Sequence, residues 1–370
     1  MGIGMAKEEI DTPALLIDLD LMEKNIETMA SYYRSIKGAA LRPHQKGHRL
    51  PVIAKKQINA GAVGVSMTSF GLAEFYAESG IDDILITSEV QGRNKIARLC
   101  GLSRHANVTV SVDDLANAKE ISEMALSMGT RVNVAAEVYL SVLSAGVEPR
   151  MMKDFVREIS KMKGLNFRGL WWHELFGIEG PAELRKKNHY AVLDTIADLK
   201  AEIEDSGIDV ELLSGGHSYT WRITPQYERI QNVEVQVGSY VFNDWCSHQV
   251  EGLDVFDCAL TVLTRCISRP KPDEAMFDIG TNSCANESGE DYGKVVGPRF
   301  KDVEGMDQVR LREEHGFANC KDSSVEIKTG QAYEVIPPHA DTTAKMHDRY
   351  YGIRDGRVEV IWPNYGRGLF

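Results

Sequence analysis

The chain has 370 residues, 43% of them hydrophobic and 26% charged, which is the balance of a soluble globular enzyme long enough for two domains. A formal net charge of −12 argues against nucleic-acid binding, since such domains are typically basic. No stretch approaches the roughly 20 apolar residues that span a bilayer. The opening Met1-Gly2-Ile3-Gly4-Met5-Ala6 has neither the apolar core of a signal peptide nor, with Ala6 in place of Ser or Thr, a full myristoylation pattern, so a cytoplasmic protein is expected. Six cysteines stand singly with no CxxC pair and read as reduced core residues.

From residue 12 to about 241 short apolar runs alternate with amphipathic stretches. Residues 14–17, 63–67, 84–87, 108–112, 132–136, 167–172, 210–213 and 233–237 read as strands, and 21–33, 72–79, 115–128, 152–162 and 182–203 as helices. Ala39 to Arg42 adds a short strand, which Pro43 is expected to end because its ring cannot donate to a ladder. Strands that recur with a helix in each gap predict βα units, a parallel sheet and, at about eight units, a TIM-type (β/α)8 barrel.

Past residue 250 the pattern becomes alternating strands separated by turns, over 259–264, 275–280, 333–338 and 358–363, with Asp355-Gly356 as a two-residue hairpin turn. The expectation is an α/β barrel over 20–245 and a mostly antiparallel β domain built from 1–19 and 246–370. Residues 282–310 read as a long loop.

Chemistry concentrates first in Leu41-Arg42-Pro43-His44-Gln45-Lys46-Gly47-His48-Arg49-Leu50. Cationic neighbours favour a neutral lysine, and a neutral amine forms a Schiff base with an aldehyde such as pyridoxal phosphate. A solvated basic turn is the plainer reading of the same residues. Lys46 does, however, follow a strand exit, where reactive groups of a parallel barrel gather.

Two glycine turns, Ser214-Gly215-Gly216-His217-Ser218 and Gly238-Ser239-Tyr240, close the last two barrel strands. Glycine lets amides approach an anion closely, and barrels often hold a phosphate at those two loops. Taken singly, each turn is more simply structural. In Pro337-Pro338-His339-Ala340-Asp341, residues two apart share a face if the backbone is extended, so His339 and Asp341 are candidates to bind one divalent cation. An ordinary polar loop is the alternative.

Taken in order, Asp11-Thr12-Pro13-Ala14-Leu15-Leu16-Ile17-Asp18, Arg42 to Lys46, Gly215-Gly216, Gly238-Ser239-Tyr240, His339-Ala340-Asp341 with His347-Asp348, and the end from Tyr351-Gly352 to Trp362-Pro363 resemble the D-threonine aldolase and D-serine dehydratase family. These are pyridoxal-phosphate enzymes of the alanine-racemase fold, and the resemblance spans nearly the whole chain. It implies a Schiff-base lysine at Lys46 and cofactor phosphate contacts from Gly215, Gly216, Gly238, Ser239 and Tyr240. It also implies a divalent metal (Mn, Mg or Zn) on His339 and Asp341, and a homodimer with a shared active site. Family dehydratases usually present Cys where this chain has Asp341, which is similar to the manganese-type aldolases.

Two departures stand out. Ser144 replaces an arginine common in the family, and Trp172-His173-Glu174 stands where Tyr-Gln-Gly is frequent, so His173 or Glu174 is expected to face the substrate. The implied activity is retro-aldol cleavage of a D-3-hydroxy amino acid, of D-threonine or 3-hydroxy-D-aspartate type, to glycine and an aldehyde. His44, His173 or a metal-bound water is the candidate base for the β-hydroxyl proton. A dehydratase releasing an oxo acid and ammonia is the alternative, and a racemase the third; a non-catalytic cofactor carrier would lack residues 250–370.

Overall fold

The computed structural model describes residues 2–141, 144–174, 180–287, 295–320 and 325–370. It contains two compact units. One, the β unit, comprises Met1–Thr28, Gly47–Arg49 and Ser239–Gly368; the other, the barrel unit, comprises Met29–Lys46, Leu50–Gly238 and Leu369–Phe370.

The chain opens with β1 (Ala14–Asp18) and α1 (Leu19–Ser35), then enters the barrel. There β2 (Ala39–Leu41), β3 (Val65–Met67), β4 (Asp83–Glu89), β5 (Asn107–Val112), β6 (Val132–Glu137), β7 (Leu165–Trp171), β8 (Leu212–Gly215) and β9 (Val233–Val235) form one sheet. Every pairing in it is parallel, in the order β2-β9-β8-β7-β6-β5-β4-β3. Val63 N donates to Leu41 O at 3.0 Å, Ser66 N to Pro43 O at 3.0 Å and Gln45 N to Ser66 O at 2.8 Å, so the two ends of the sheet are joined and the ring is closed. The alanine-racemase-like barrel is therefore formed as expected.

Between the strands lie α2 (Pro51–Asn59), α3 (Phe70–Glu78), α4 (Arg93–Leu102), α5 (Leu115–Ser127), α6 (Pro149–Ser160) and α7 (Ala182–Glu204). Both faces of a parallel sheet are covered, and the strand residues accordingly read as continuous buried runs, from Val65 through Val110 and Val134 to Val235. β8 and β9 are connected by short 3-10 turns at Ser218–Thr220 and Thr224–Gln226 instead of a helix.

Pro43 does not end the ladder. Arg42 and His44 donate to β9-side carbonyls while Pro43 offers its carbonyl and Gln45 its amide to β3, so the ring costs only one missing bond and pairing runs on to Gln45. Lys46 is the first residue beyond it.

The β unit contains α8 (Trp245–His248), β10 (Leu260–Lys271), β11 (Glu274–Phe277), β12 (Arg299–Phe300), β13 (Arg310–Leu311), β14 (Gly316–Asn319), β15 (Ala332–Ile336), α9 (Ala340–Ala344), β16 (Arg349–Arg354) and β17 (Arg357–Pro363). Its sheet runs β13-β14-β11-β10-β1-β16-β17, with β15 on β10 and β12 on β15; only β1 and β16 pair in parallel. Asp355 and Gly356, at φ +48° and +71°, make the hairpin turn between β16 and β17. The segment 282–310 is not simply a loop, because β12 and the start of β13 fall inside it; its residues 288–294 lie outside the described residues. No helix among the described residues is long and apolar enough to cross a membrane.

Candidate active site

The turn after β2 is anchored from below. Gln45 is fully buried, with its Nε2 donating to Pro43 O at 2.9 Å and to Gln57 Oε1 at 3.1 Å, and Tyr76 donates to its Oε1 at 3.3 Å. Lys46 itself is exposed, and its amide donates to His44 Nδ1 at 3.2 Å. The half-buried His44 brings Nε2 to 3.5 Å from the Thr87 hydroxyl on β4.

The cations grouped around Lys46 in sequence are dispersed by the fold. Arg42 is buried, with Nε 2.5 Å and Nη2 3.0 Å from the Glu234 carboxylate and Nη1 2.6 Å from Asp83, so its charge is compensated where it sits. His48 is buried against the Phe242 ring and Arg49 donates to Gly366 O at 3.2 Å, both within the β unit. The groups that sense Lys46 come instead from the exits of β7 and β8. Burial, and then the Lys46 charge, lowers the pKa of His173. His217 is lowered well below the ordinary imidazole value by burial, then by His173, Lys46 and His189. Their ring centroids are 5.8 Å apart. Both are neutral at pH 7. His217 Nδ1 accepts from Tyr219 N at 3.2 Å, which leaves the ring proton on Nε2. Glu174 is turned elsewhere: it is buried, and its Oε2 accepts from His189 Nδ1 at 2.5 Å.

The two glycine turns adjoin, because Gln236 N donates to Gly215 O at 2.8 Å. Gly215 is a close approach, since a Cβ there would enter the Trp172 ring, and Gly216 has φ +86°, a conformation that favours glycine. A Cβ at Gly238 would lie 3.0 Å from His44 O. The amides of Gly216 and Gly238 take no acceptor among the described residues, and the buried Trp172 Nε1 is likewise unpartnered there. Donors without acceptors at neighbouring strand exits fit an anionic group such as a phosphate. Ser239 and the buried Tyr240 open the 3-10 turn that follows.

Three carboxylates that the sequence reading passed over stand at successive strand ends: Glu89 on β4, Asp113 after β5 and Glu137 on β6. The Ser111 hydroxyl donates to Glu89 Oε1 at 2.7 Å, lies 3.3 Å from Glu137 Oε2, and accepts from Trp171 Nε1 at 2.8 Å. Burial first, then Glu89 and Asp113, push Glu137 up to about 9, so it is a neutral acid at pH 7. Among the described residues the Ser144 hydroxyl turns away from this cluster, donating to Ser141 O at 2.6 Å and closing a local turn; Val142 and Leu143 lie outside the described residues.

His339 and Asp341 are not extended as the spacing implied. His339 is the N-cap of α9, its Nδ1 accepting from Thr342 N at 3.3 Å and lying 2.9 Å from the Thr342 hydroxyl, and Asp341 sits in the first helical turn. The short polar threonines let the side chain cap the helix, which competes with a strand. This capping engages Nδ1 of the His339 ring, while Asp341 is buried with Oδ1 2.9 Å from where a Gly47 Cβ would stand. Gly47 follows Lys46 in the chain. Behind them Asp244 accepts from Ala340 N at 2.9 Å and from Ser247 N at 2.8 Å; burial raises its pKa and His339 opposes that shift. Among the described residues no set of three or more His, Cys, Asp or Glu side chains forms a metal cluster. An imidazole whose Nδ1 is engaged as a cap and a buried carboxylate are nevertheless residue types that suit a divalent ion.

Residues 17–244 match the alanine racemase N-terminal domain family, and 259–353 the serine dehydratase domain family. A 3-hydroxy-D-aspartate aldolase of Paracoccus denitrificans (strain Pd 1222) is 32% identical over 99% of this chain and 94% of its own length. The chain belongs to the D-threonine aldolase and D-serine dehydratase family. A D-threonine aldolase of Arthrobacter sp is 29% identical over 97% of this chain and 93% of its own. The crystal structure of D-threonine aldolase from Filomicrobium marinum superposes with a TM-score of 0.93 at 30% identity, covering 100% of this chain and 98% of that one. Pyridoxal phosphate is the cofactor of this fold family, and the unpaired donors at Gly216, Gly238 and Trp172 fit its phosphate. The groups near these strand exits that sequence reasoning did not single out are Glu89, Asp113, Glu137, His189 and His217. The only signal was position, since each stands at or behind a strand exit.

Proposed function

We propose that this protein is a lyase, dependent on pyridoxal phosphate and a divalent metal, that cleaves a D-3-hydroxy amino acid of D-threonine or 3-hydroxy-D-aspartate type to glycine and an aldehyde. The observation that carries the reading is the similarity of the chain, over nearly its full length, to two aldolases; the His173 imidazole, lowered in pKa by burial and then by the Lys46 charge, agrees with it. Lys46 is the residue to bond the cofactor, with the turns at Gly215-Gly216 and Gly238-Ser239-Tyr240 around its phosphate. Bound there, pyridoxal phosphate supplies an electron sink for the pair released at Cα. A metal held by His339 and Asp341 supplies Lewis-acid polarisation of the β-hydroxyl.

His173 removes the β-hydroxyl proton. It suits the task because burial and Lys46 keep it unprotonated at neutral pH. The hydroxyl oxygen then forms the aldehyde carbonyl as the Cα–Cβ bond opens, and Cα takes up a proton to give glycine. His44, tied to Lys46 through its amide, orients the lysine turn. The active unit is a homodimer that shares its sites.

Borohydride reduction and peptide mapping should place a pyridoxyl group on Lys46. Assay against a panel of D-3-hydroxy amino acids should give glycine and aldehyde in equal amounts. An adduct on Lys55 or Lys56 would overturn the lysine assignment, and ammonia with an oxo acid would overturn the aldolase outcome in favour of a dehydratase. Light scattering should give twice the chain mass; a fully active monomer would refute the shared site.

A further inference from the structure

Behind the two imidazoles runs a buried polar chain that the reaction outlined above does not use. Glu174 follows His173 directly at the β7 exit. Its Oε2 accepts from Nδ1 of His189, a fully buried residue of α7, and the other ring nitrogen of His189 lies 2.8 Å from the Thr224 hydroxyl. Thr224 in turn donates to Thr220 O at 3.2 Å, and the Thr220 hydroxyl accepts from His217 N at 3.0 Å. The chain therefore starts beside one imidazole and ends on the backbone of the other.

Stability alone does not account for it. Well-packed hydrophobic residues of similar volume are commonly as stable as a buried ionisable pair, or more so. The second Glu174 oxygen is moreover buried without a partner among the described residues, which is a further cost.

We propose that Glu174, His189 and Thr224 are positioning residues that clamp the β7-exit and β8-exit turns together and so hold the His173 and His217 rings in place at Lys46. This rests on His173 being the base. The arrangement also gives Glu174 an electrostatic role. The charged and titratable groups acting on His173 are Lys46, which lowers its pKa, Glu174, which raises it, and the neighbouring His217. Replacing the carboxylate by an amide therefore shifts His173 to a still lower pKa.

The test uses the full-length holoenzyme, with the imidazole titration of His173 followed by NMR as the readout independent of turnover. Glu174→Gln should move the His173 midpoint, and the acid limb of kcat/KM with it, to lower pH. His189→Leu should lower kcat at least tenfold with KM changed less than threefold. His189→Gln should recover part of that loss, since an amide can both donate to Glu174 and face Thr224. If Glu174→Gln does not fold, Thr224→Val removes only the hydroxyl link and should lower kcat in the same direction. An unmoved His173 titration in Glu174→Gln together with unchanged kcat in His189→Leu would overturn the proposal. If instead His173→Ala keeps full activity, the base assignment fails, while the NMR shift still reports on the chain itself.

Discussion

Glu137 offers the sharpest check on the electrostatics of the barrel mouth. Folded, it keeps its proton up to about pH 9, whereas the unfolded chain releases it near 4.5. Below pH 4.5 both states hold the proton and the group has no effect. Above that, only the unfolded state gains from ionisation, so the native state loses stability steadily until about pH 9. At pH 7 the difference spans 7 minus 4.5, or 2.5 pH units, which at about 1.4 kcal/mol each corresponds to about 3 kcal/mol. Glu137→Gln keeps the shape and an N–H donor toward Glu89 but cannot ionise. It should be more stable than the parent at pH 8 and nearly equal to it at pH 5. For a unit of this size, about 3 kcal/mol is on the order of 6–12 °C in Tm. Calorimetry of both proteins at pH 5, 6, 7 and 8 decides the matter. Parallel pH profiles, or a variant less stable at pH 8, would refute a neutral Glu137.

Because burial and Lys46 depress His173, the acid limb of kcat/KM should lie below the ordinary imidazole value of 6.5, with activity persisting at pH 6; a limb above that value would show that a different group is the base. Asp341→Ala should keep the cofactor absorbance at roughly 410–430 nm and lose most of kcat, and a strong chelator should do the same; full activity with chelator would remove the metal from the mechanism. Arg42→Met leaves Glu234 and the partly exposed Asp83 without their cation and should cost about 1–3 kcal/mol by denaturant titration. A cost below about 1 kcal/mol would show that the buried pairing contributes little.

Much of the architecture is legible in the chain because it is local. Apolar runs such as Val108–Val112 and amphipathic stretches such as 182–203 carry their periodicity in consecutive residues, and β5 and α7 formed there. Asp355-Gly356 fits its turn through backbone dihedrals alone. The short helices α2 and α4 were passed over because each buries only three residues, Ile53, Ala54 and Gln57 in one and Ile96, Leu99 and Cys100 in the other, which makes a thin apolar stripe.

The departures arise where distant residues compete for the same group. Pro43 reads as a strand end, yet β9 and β3 bond the residues on either side of it and carry the ladder on to Gln45. His339 and Asp341 read as an extended pair, but the Thr342 amide recruits the His339 ring as a helix cap. The basic run around Lys46 reads as one cluster, yet Glu234 and Asp83 hold Arg42, and His48 packs against Phe242.

By itself the sequence determined the barrel, the β domain and the lysine turn, because periodicity and turn chemistry are properties of neighbouring residues. Only the tertiary structure decided which groups share a field with Lys46. His173 and His217 approach it from strand exits far along the chain, Glu174 is turned back onto His189, and Glu137 keeps its proton beside Glu89. Electrostatic coupling and desolvation depend on distance in space, and separation along the chain carries almost no information about it.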